Sequence, residues 1–313
     1  MSKIRKIDAH AHIGEDKARK MFSLPYNCDA KLLFKLACKN NISDIIVVPP
    51  PGQIVCPHLG MKHHPNIYGI EGIPTLLSSN DKMKFKCKCG AIWKVEDPFR
   101  EVNEYLFKIT RKLNKLKKVK FHPLPIIHPL KQKVAQDIQR YFEVYQIKGV
   151  KIHPLIDKTS PINYIDSELV DILADLDLKI LFHTDNVAPA LPTTVLEFVR
   201  RTKIYSQLAH ACRADPQALR KIHDLKYAVV DISPLNMIID DRNRLLTNKK
   251  FSSYKHFIKY VINLAGENKV LAGSDYFWCG WKEKYYKEQW KEFESFGNEK
   301  IIYKNALEFW DLL

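Results

Sequence analysis

Short runs of β-branched and other apolar residues alternate along the chain with longer stretches in which apolar residues recur at spacings of three and four. The short runs lie near Ile4 to His10, Asp44 to Val48, Val119 to Ile127, Gly149 to His153, Lys179 to His183, Ile204 to His210, Lys226 to Ile232 and Lys269 to Ser274, and they read as eight strands. The stretches between them read as helices. Leu32, Leu33, Leu36 and Ala37 form one such face, and Leu169, Ile172, Leu173 and Leu176 another. Asp166 and Asp215 precede helical patterns as helix-start residues, and Pro216 suits a first turn. Strands alternating with helices predict a parallel sheet. Eight repeats predict an α/β fold, a (β/α)₈ TIM barrel, whose chemistry sits where strands end and the following loops begin.

One segment breaks the rhythm. Residues 50–97, after the second strand, are rich in Pro, Gly, His and Cys and far longer than an ordinary connection. They read as an insertion within a single barrel domain spanning 1–313, either a lid or a small zinc-ribbon-like subdomain. Ile67, Tyr68, Ile70, Ile73, Leu76 and Leu77 within it call for burial, which argues against a disordered linker.

Composition narrows the class. A hydrophobic fraction of 46% in 313 residues is that of a soluble globular protein. No apolar run reaches the roughly 18 residues of a membrane span, and the opening MSKIRKIDAHAHIG lacks the pattern of a signal peptide, so a cytoplasmic protein with no membrane partner is expected. Seven irregularly spaced cysteines do not form a disulfide framework, which leaves some of them as metal ligands. The net charge of +15 favours anionic partners. The lysines are spread along the chain, however, and the densest run, RKLNKLKKVK at 111–120, falls on a helix exterior. A solvated basic surface is therefore the preferred reading over a nucleic-acid site.

The strand ends carry the chemistry. The first strand runs into DAHAHIG, where alternation puts His10 and His12 on one face and Ala9 and Ala11 on the other. Alone, a His-x-His pair is weak evidence. Strand five ends in LFHTD with His183, strand six in LAHA with His210 and strand eight in LAGSD with Asp275, so four strands deliver such groups to one rim. Imidazole nitrogens with one carboxylate suit Zn²⁺ and also accept Mn²⁺, Fe²⁺ or Co²⁺.

This constellation resembles the amidohydrolase superfamily. The phrases GVKIHP at 149–154, LAGSD at 271–275 and IIYKNALEFWDL at 301–312 resemble its amidohydrolase-2 branch, and the match covers nearly the whole chain apart from the insertion. The resemblance implies that His10, His12, His183 and Asp275 hold a catalytic divalent metal, with Asp275 also accepting a proton from the attacking water. His210 then binds a second ion or polarises the substrate oxygen. In two-metal members the lysine of strand four is carboxylated and bridges the ions, which makes Lys151 a candidate ligand and leaves one or two ions open. The other reading of Lys151 is a buried amine paired with a carboxylate such as Asp185. His153, on the same strand face, is a pocket residue rather than a ligand.

Within the insertion, Cys56, His58, Cys87 and Cys89 could hold a further, structural Zn²⁺, with His63 and His64 as alternative ligands. The phrase FKCKCGAIW resembles half of a zinc ribbon, but the usual two-residue gap between ligands is missing. Around the rim, Arg213 and Trp278, with Tyr276 and Phe277, suit a planar or carboxylate-bearing small molecule. Three functions follow. The first is a metal-dependent hydrolase acting on an amide, ester or lactone of a small anionic substrate. The second is a metal-dependent, non-oxidative decarboxylase of an aromatic or unsaturated acid. The third is a nucleic-acid-binding protein on a barrel scaffold, disfavoured because binding does not need the rim set. A homodimer is the candidate assembly.

Overall fold

The strands form where the apolar runs lie. In the computed structural model, which describes residues 5–21, 28–58, 74–80, 82–240, 242–276 and 283–312, they are β1 (Lys6–His12), β2 (Ile42–Val48), β3 (Thr75–Ser79), β4 (Met83–Lys86), β5 (Ile92–Val95), β6 (Lys120–Pro123), β7 (Gly149–Ile152), β8 (Lys179–Phe182), β9 (Ser206–Leu208), β10 (Ala228–Ile232) and β11 (Val270–Ala272). β1, β2 and β6 make a three-stranded parallel sheet, and β7 to β11 make a five-stranded parallel sheet in chain order. Isolated parallel bridges link Ala11 to Tyr276 and Ile126 to Lys151, one between each pair of sheet edges. Helices separate the successive strands of the two parallel sheets, so the fold is mixed α/β with parallel sheets.

Local signals set most helix boundaries. Helix Ala30–Lys39 starts at Asp29, whose carboxylate accepts from the Leu32 amide, and it buries Ala30, Leu33, Leu36 and Ala37. Asp215 caps helix Pro216–Asp224 by accepting from the amides of Gln217 and Ala218, with Pro216 in the first turn. Asp166 has no such role: helix Glu168–Asp175 starts after Ser167, without a side-chain cap. The Ser167 hydroxyl donates instead to the Tyr164 carbonyl at 2.6 Å.

One irregularity in β1 decides which way its histidines face. Asp8 pairs with Ile45 and Ala11 with Val47, so β1 carries one extra residue between them. Before it, Ile7 and Ala9 pack with Leu181, Val229, Leu271 and Trp310. Beyond it, His10 and His12 join the side that carries Asp231, two residues after Val229. Trp310 closes the apolar end of this cluster, and its indole Nε1 donates to Gln207 Oε1 at 2.8 Å.

The insertion contains structure that the apolar pattern did not resolve into strands. β3, β4 and β5 form an antiparallel sheet in which Met83 and Phe85 are buried while Lys86 points to solvent. Its strands are short and lysine-rich, so their alternation is too brief to read from sequence. The sheet packs through Leu76, Met83, Phe85 and Trp93 against Ile54, Ile126 and Ile156. These three follow β2, β6 and β7, which sets the sheet against the C-terminal ends of those strands. Leu77, expected to be buried, is 48% exposed because it lies on the outer face; Ile67, Tyr68, Ile70 and Ile73 fall outside the described residues. The basic run at 111–120 is only partly helical: helix Arg100–Asn114 carries Arg111 and Lys112 and is capped by Lys115, while Lys117 and Lys118 lie in the turn beyond it and Lys120 begins β6, and all six are exposed. No helix among the described residues is long and apolar enough to cross a membrane.

Two stability predictions follow from this packing. Trp310→Ala removes a fully buried indole and leaves Gln207 Oε1 without its donor. The expected cost is about 3–5 kcal/mol, read as a lower urea midpoint with an unchanged slope. His128 is buried against the Phe85 ring, its Nδ1 accepts from the Leu130 amide and its Nε2 has no partner. Burial pushes its pKa down to about 3, against the weaker pull of Asp97. The unfolded chain takes up this proton below about pH 6.5 and the folded chain only near pH 3, so the unfolded state binds more protons between them. Stability therefore falls as pH drops through that window. His128→Gln should make the fall shallower by up to about 1.4 kcal/mol per pH unit, measured by denaturant unfolding from pH 7 to pH 4.

Candidate metal centre

Beyond the extra residue of β1, His10 and His12 meet Asp275, which follows β11. Close approach of the two strands is possible because residue 273 is glycine: a Cβ there would lie 3.2 Å from His10 Cβ and 3.3 Å from Ser233 Cβ. The amide of Asp275 then donates to the His10 carbonyl at 2.7 Å, and Asp275 turns its side chain inward with a left-handed backbone, φ 47°. Ligand atoms of His10, His12 and Asp275 lie within 4.8 Å of one another, and all three residues are buried.

Hydrogen bonds fix the tautomers. His12 Nδ1 lies 3.1 Å from the Pro49 carbonyl, which can only accept, so Nδ1 carries the proton and Nε2 presents a lone pair. His10 Nδ1 lies 3.1 Å from Ser233 Oγ and 3.3 Å from Asp231 Oδ2. The Ser233 hydroxyl donates to Asp231 Oδ1 at 2.5 Å and so accepts from His10. His10 Nε2 is therefore also a lone pair, 3.5 Å from Lys151 Nζ. Asp275 Oδ1 faces both rings, 3.0 Å from His12 Nε2 and 3.7 Å from His10 Nε2.

Three electron-pair donors thus converge on one buried point with no proton between them. A cation relieves that repulsion. Burial lowers the pKa of His12 and keeps it neutral, against the pull of Asp275. Burial raises that of Asp275, but the neighbouring imidazoles, His10 foremost, outweigh it and hold the carboxyl well below its usual range. A nitrogen-rich set with one carboxylate fits a divalent ion such as Zn²⁺ or Mn²⁺.

His183 and His210 stand beside this group rather than in it. His210 opens a run through Ala214 in which every residue has φ between 49° and 60°. Consecutive left-handed residues other than glycine are costly, roughly 1–2 kcal/mol each. The run is held by Asp231 Oδ1 on the His210 amide at 3.2 Å and by the Leu246 amide on the Arg213 carbonyl at 2.7 Å. His210 Nδ1 donates to the Ser233 carbonyl at 2.7 Å, so its Nε2 accepts from His183 Nδ1 at 2.9 Å. Both His210 nitrogens are engaged. His183 Nε2 is left as a buried lone pair without a hydrogen bond among the described residues, 3.4 Å from Asp185 Oδ2. The rings of His153 and His183 stack at 3.8 Å, and burial pushes the pKa of both well down.

Lys151 is buried, and its pKa falls to about 8 through desolvation, opposed by Asp275 and Asp231. The expected pairing with Asp185 is not formed. Asp185 instead accepts from Arg213 at 3.1 Å, because the left-handed run brings the guanidinium to it, while Lys151 sits at His10. Arg213 Nε is buried with no hydrogen-bond partner among the described residues. Tyr276 is buried edge-on to Tyr286, and Phe277, Trp278, His63 and His64 fall outside the described residues. In the insertion, the sulfurs of Cys56, Cys87 and Cys89 lie within 4.8 Å of one another, and His58 Nδ1 is 3.7 Å from that of Cys89. A groove of about 1040 Å³ lined by Arg111, Lys120, Tyr145, Lys179 and others opens where β6, β7 and β8 begin, away from both clusters.

Sequence reasoning passed over the residues that orient the ligands. Asp231 is fully buried, and the phrase VVDIS did carry a signal, a carboxylate two residues past an inward valine at the end of the seventh parallel strand. Ser233 has no such signal. Asp8, buried beneath the site, accepts from the Ser274 amide at 2.8 Å, the Ser274 hydroxyl at 2.6 Å and the Tyr286 hydroxyl at 3.1 Å. Burial raises its pKa to about 6 despite these bonds. It fixes the residue next to Asp275.

No protein-family model and no curated protein matches this chain. Solved structures do. An amidohydrolase from Burkholderia multivorans has a TM-score of 0.62 with bound HEPES and 0.61 with bound zinc, at 14% identity over 98% of this chain and 99% of that one. A 5-carboxyvanillate decarboxylase from Sphingomonas paucimobilis has a TM-score of 0.60 at 9% identity, covering 99% of each chain. A dihydroxybenzoic acid decarboxylase from Polaromonas, with bound manganese and the inhibitor 2-nitroresorcinol, has a TM-score of 0.54 at 11% identity over 100% of this chain and 98% of that one. At such identities the likeness is one of fold. The resemblance to amidohydrolase-type enzymes is found in the backbone along its whole length.

The contacts of His10 generate a prediction. Asp231→Asn keeps the shape but weakens the hold on the His10 tautomer, and metal affinity should fall by about 10- to 100-fold with unchanged circular dichroism. A chelator competition titration measures this, and equal affinities would remove Asp231 from the role.

Proposed function

We propose that this chain is a metal-dependent hydrolase of the amidohydrolase type, acting on an amide, ester or lactone of a small anionic substrate. In this reading the eight parallel strands close into a (β/α)₈ barrel, supported by the bridges at both sheet seams, and residues 50–97 are inserted after its second strand. The observation that carries the function is the buried meeting of His10 Nε2, His12 Nε2 and Asp275 Oδ1, with the carboxylate oxygen 3.7 Å and 3.0 Å from the two ring nitrogens. Zn²⁺ suits this set best, and His183 Nε2, a lone pair without a partner, is the candidate fourth donor. When bound, such an ion brings the pKa of water near ~7 and so supplies hydroxide at neutral pH.

The chain's own groups do the rest. Asp275, held ionised, takes the water's proton. His210 keeps His183 in the tautomer whose Nε2 is free. Lys151, with a pKa near 8, is partly deprotonated at neutral to mildly alkaline pH and is poised beside His10 either as a donor to a substrate oxygen or, when carboxylated, as a bridge to a second ion. Arg213, half-satisfied by Asp185, offers its free Nε to a substrate carboxylate.

That unpaired guanidinium edge equally favours a second reading, non-oxidative decarboxylation of an aromatic acid. The likeness to two decarboxylases agrees with it. The two separate on a panel of carboxylate-bearing lactones, esters, amides and aromatic acids. Hydrolysis products without CO₂ are expected, and CO₂ release without hydrolytic turnover would replace the first reading by the second. The metal assignment has its own check: replacing His10 and His12 together with alanine should remove about one ion per chain and at least a thousandfold of activity from a protein whose circular dichroism is unchanged. An unaltered ion count in the folded variant would sink it.

A further inference from the structure

We infer that Cys56, His58, Cys87 and Cys89 form a second, structural zinc site that ties the loop after β2 to the turn between β4 and β5. The distances are those of coordination. Four donors around Zn²⁺ at about 2.3 Å for sulfur and 2.0–2.1 Å for nitrogen stand, in a tetrahedron, about 3.8 Å apart for two sulfurs and about 3.6 Å for sulfur and nitrogen. Cys56 Sγ and Cys89 Sγ are 3.5 Å apart, and Cys89 Sγ and His58 Nδ1 3.7 Å. A disulfide would need about 2.05 Å, so the Cys56 and Cys89 sulfurs are not bonded to each other.

The backbone is shaped to bring the sulfurs together. After β4 the Cys87 carbonyl accepts from the Gly90 amide at 3.0 Å, and the Cys87 amide donates to the Ala91 carbonyl at 2.9 Å. Gly90, at φ 89°, lets the chain reverse there, which glycine alone tolerates cheaply. Cys87 and Cys89 thereby face one point although only Lys88 separates them. Cys56 and Cys87 are both buried, packed with Ala91 and the edge of Trp93.

Charge and stability agree with an ion. Binding releases the thiol protons, so three thiolates and one Zn²⁺ leave a net charge of minus one, next to Lys88 and to Lys158, whose charge interacts with that of Cys87. The small sheet has little core of its own: Met83 and Phe85 are buried, but Ile92 is 52% and Leu77 48% exposed. Segments this thin are ordered by added cross-links or metals. The loop that reaches Cys56 begins at Pro49, whose carbonyl fixes His12, so the zinc anchors one wall of the neighbouring centre.

The full-length protein loaded with Co²⁺ tests this. Thiolate ligation gives Co²⁺ a strong sulfur-to-metal charge-transfer absorption, which the nitrogen and oxygen donors of His10, His12 and Asp275 cannot give. The band should appear in the wild type and persist in the His10→Ala, His12→Ala double variant, so this site is judged apart from the other. Cys87→Ser with Cys89→Ser should abolish it and lower zinc content by about one ion per chain. Absence of the band from Co²⁺-loaded wild type overturns the proposal, as does unchanged zinc content in the folded cysteine variant. Should that variant not fold, the band in the wild type and the histidine variant decides by itself.

Discussion

The candidate centre depends on one electrostatic constraint, a carboxylate kept ionised although it is almost wholly buried. Asp275 is buried, and burial alone would protonate it. What holds its charge is the group of histidines around it, His10 foremost, with ring nitrogens 3.0 to 3.8 Å from its oxygens. Acceptors on the far nitrogens of His10 and His12 leave their near nitrogens as lone pairs aimed at the same point as the carboxylate. The unbalanced negative potential that results is what a divalent cation matches. The constraint reaches outward to Asp231, Ser233 and Pro49, which orient the rings, and to Asp8 and Ser274, which anchor the strand junction beneath them.

Meeting it requires the backbone to leave its regular paths. β1 gains a residue at its end, Asp275 turns left-handed, and His210 to Ala214 follow a left-handed course that L-residues otherwise avoid. Such departures persist where surrounding bonds over-determine them and where they aim a functional group. Here each one aims a candidate ligand or its neighbour: the first His10 and His12, the second the carboxylate, the third His210 and Arg213. The regular parts, the parallel strands and the Trp310 cluster, supply the rigidity against which these irregular ends are held.

The insertion extends the same logic. Its sheet packs on residues just past β2, β6 and β7, and the loop that supports it passes through Pro49, so its position and that of His12 are coupled through one short connection. A thiolate-bound ion in that sheet and an imidazole-bound ion at the strand ends would stand on one continuous piece of chain, with different donors suited to different tasks, the first closed and structural, the second open to a substrate.

The sequence by itself determined the repeating order of the fold and the identity of its chemical groups. Strand and helix periods are local properties, so the eight parallel strands could be counted from apolar runs, and the residues at their ends named before any geometry was known. The pairings were not legible, because they join residues far apart in sequence. Lys151 could be placed on its strand, but only packing decided that it faces His10 while Asp185 turns to Arg213. The roles of Asp231 and Ser233 exist only because the end of β10 meets the end of β1 through side-chain contacts some 220 residues apart, although the two strands are not paired. The short lysine-rich strands of the insertion carry too little alternation to announce themselves. Tertiary structure alone could also decide that the paired histidines face inward, since the extra residue in β1 that turns them is defined only against the register of its neighbour.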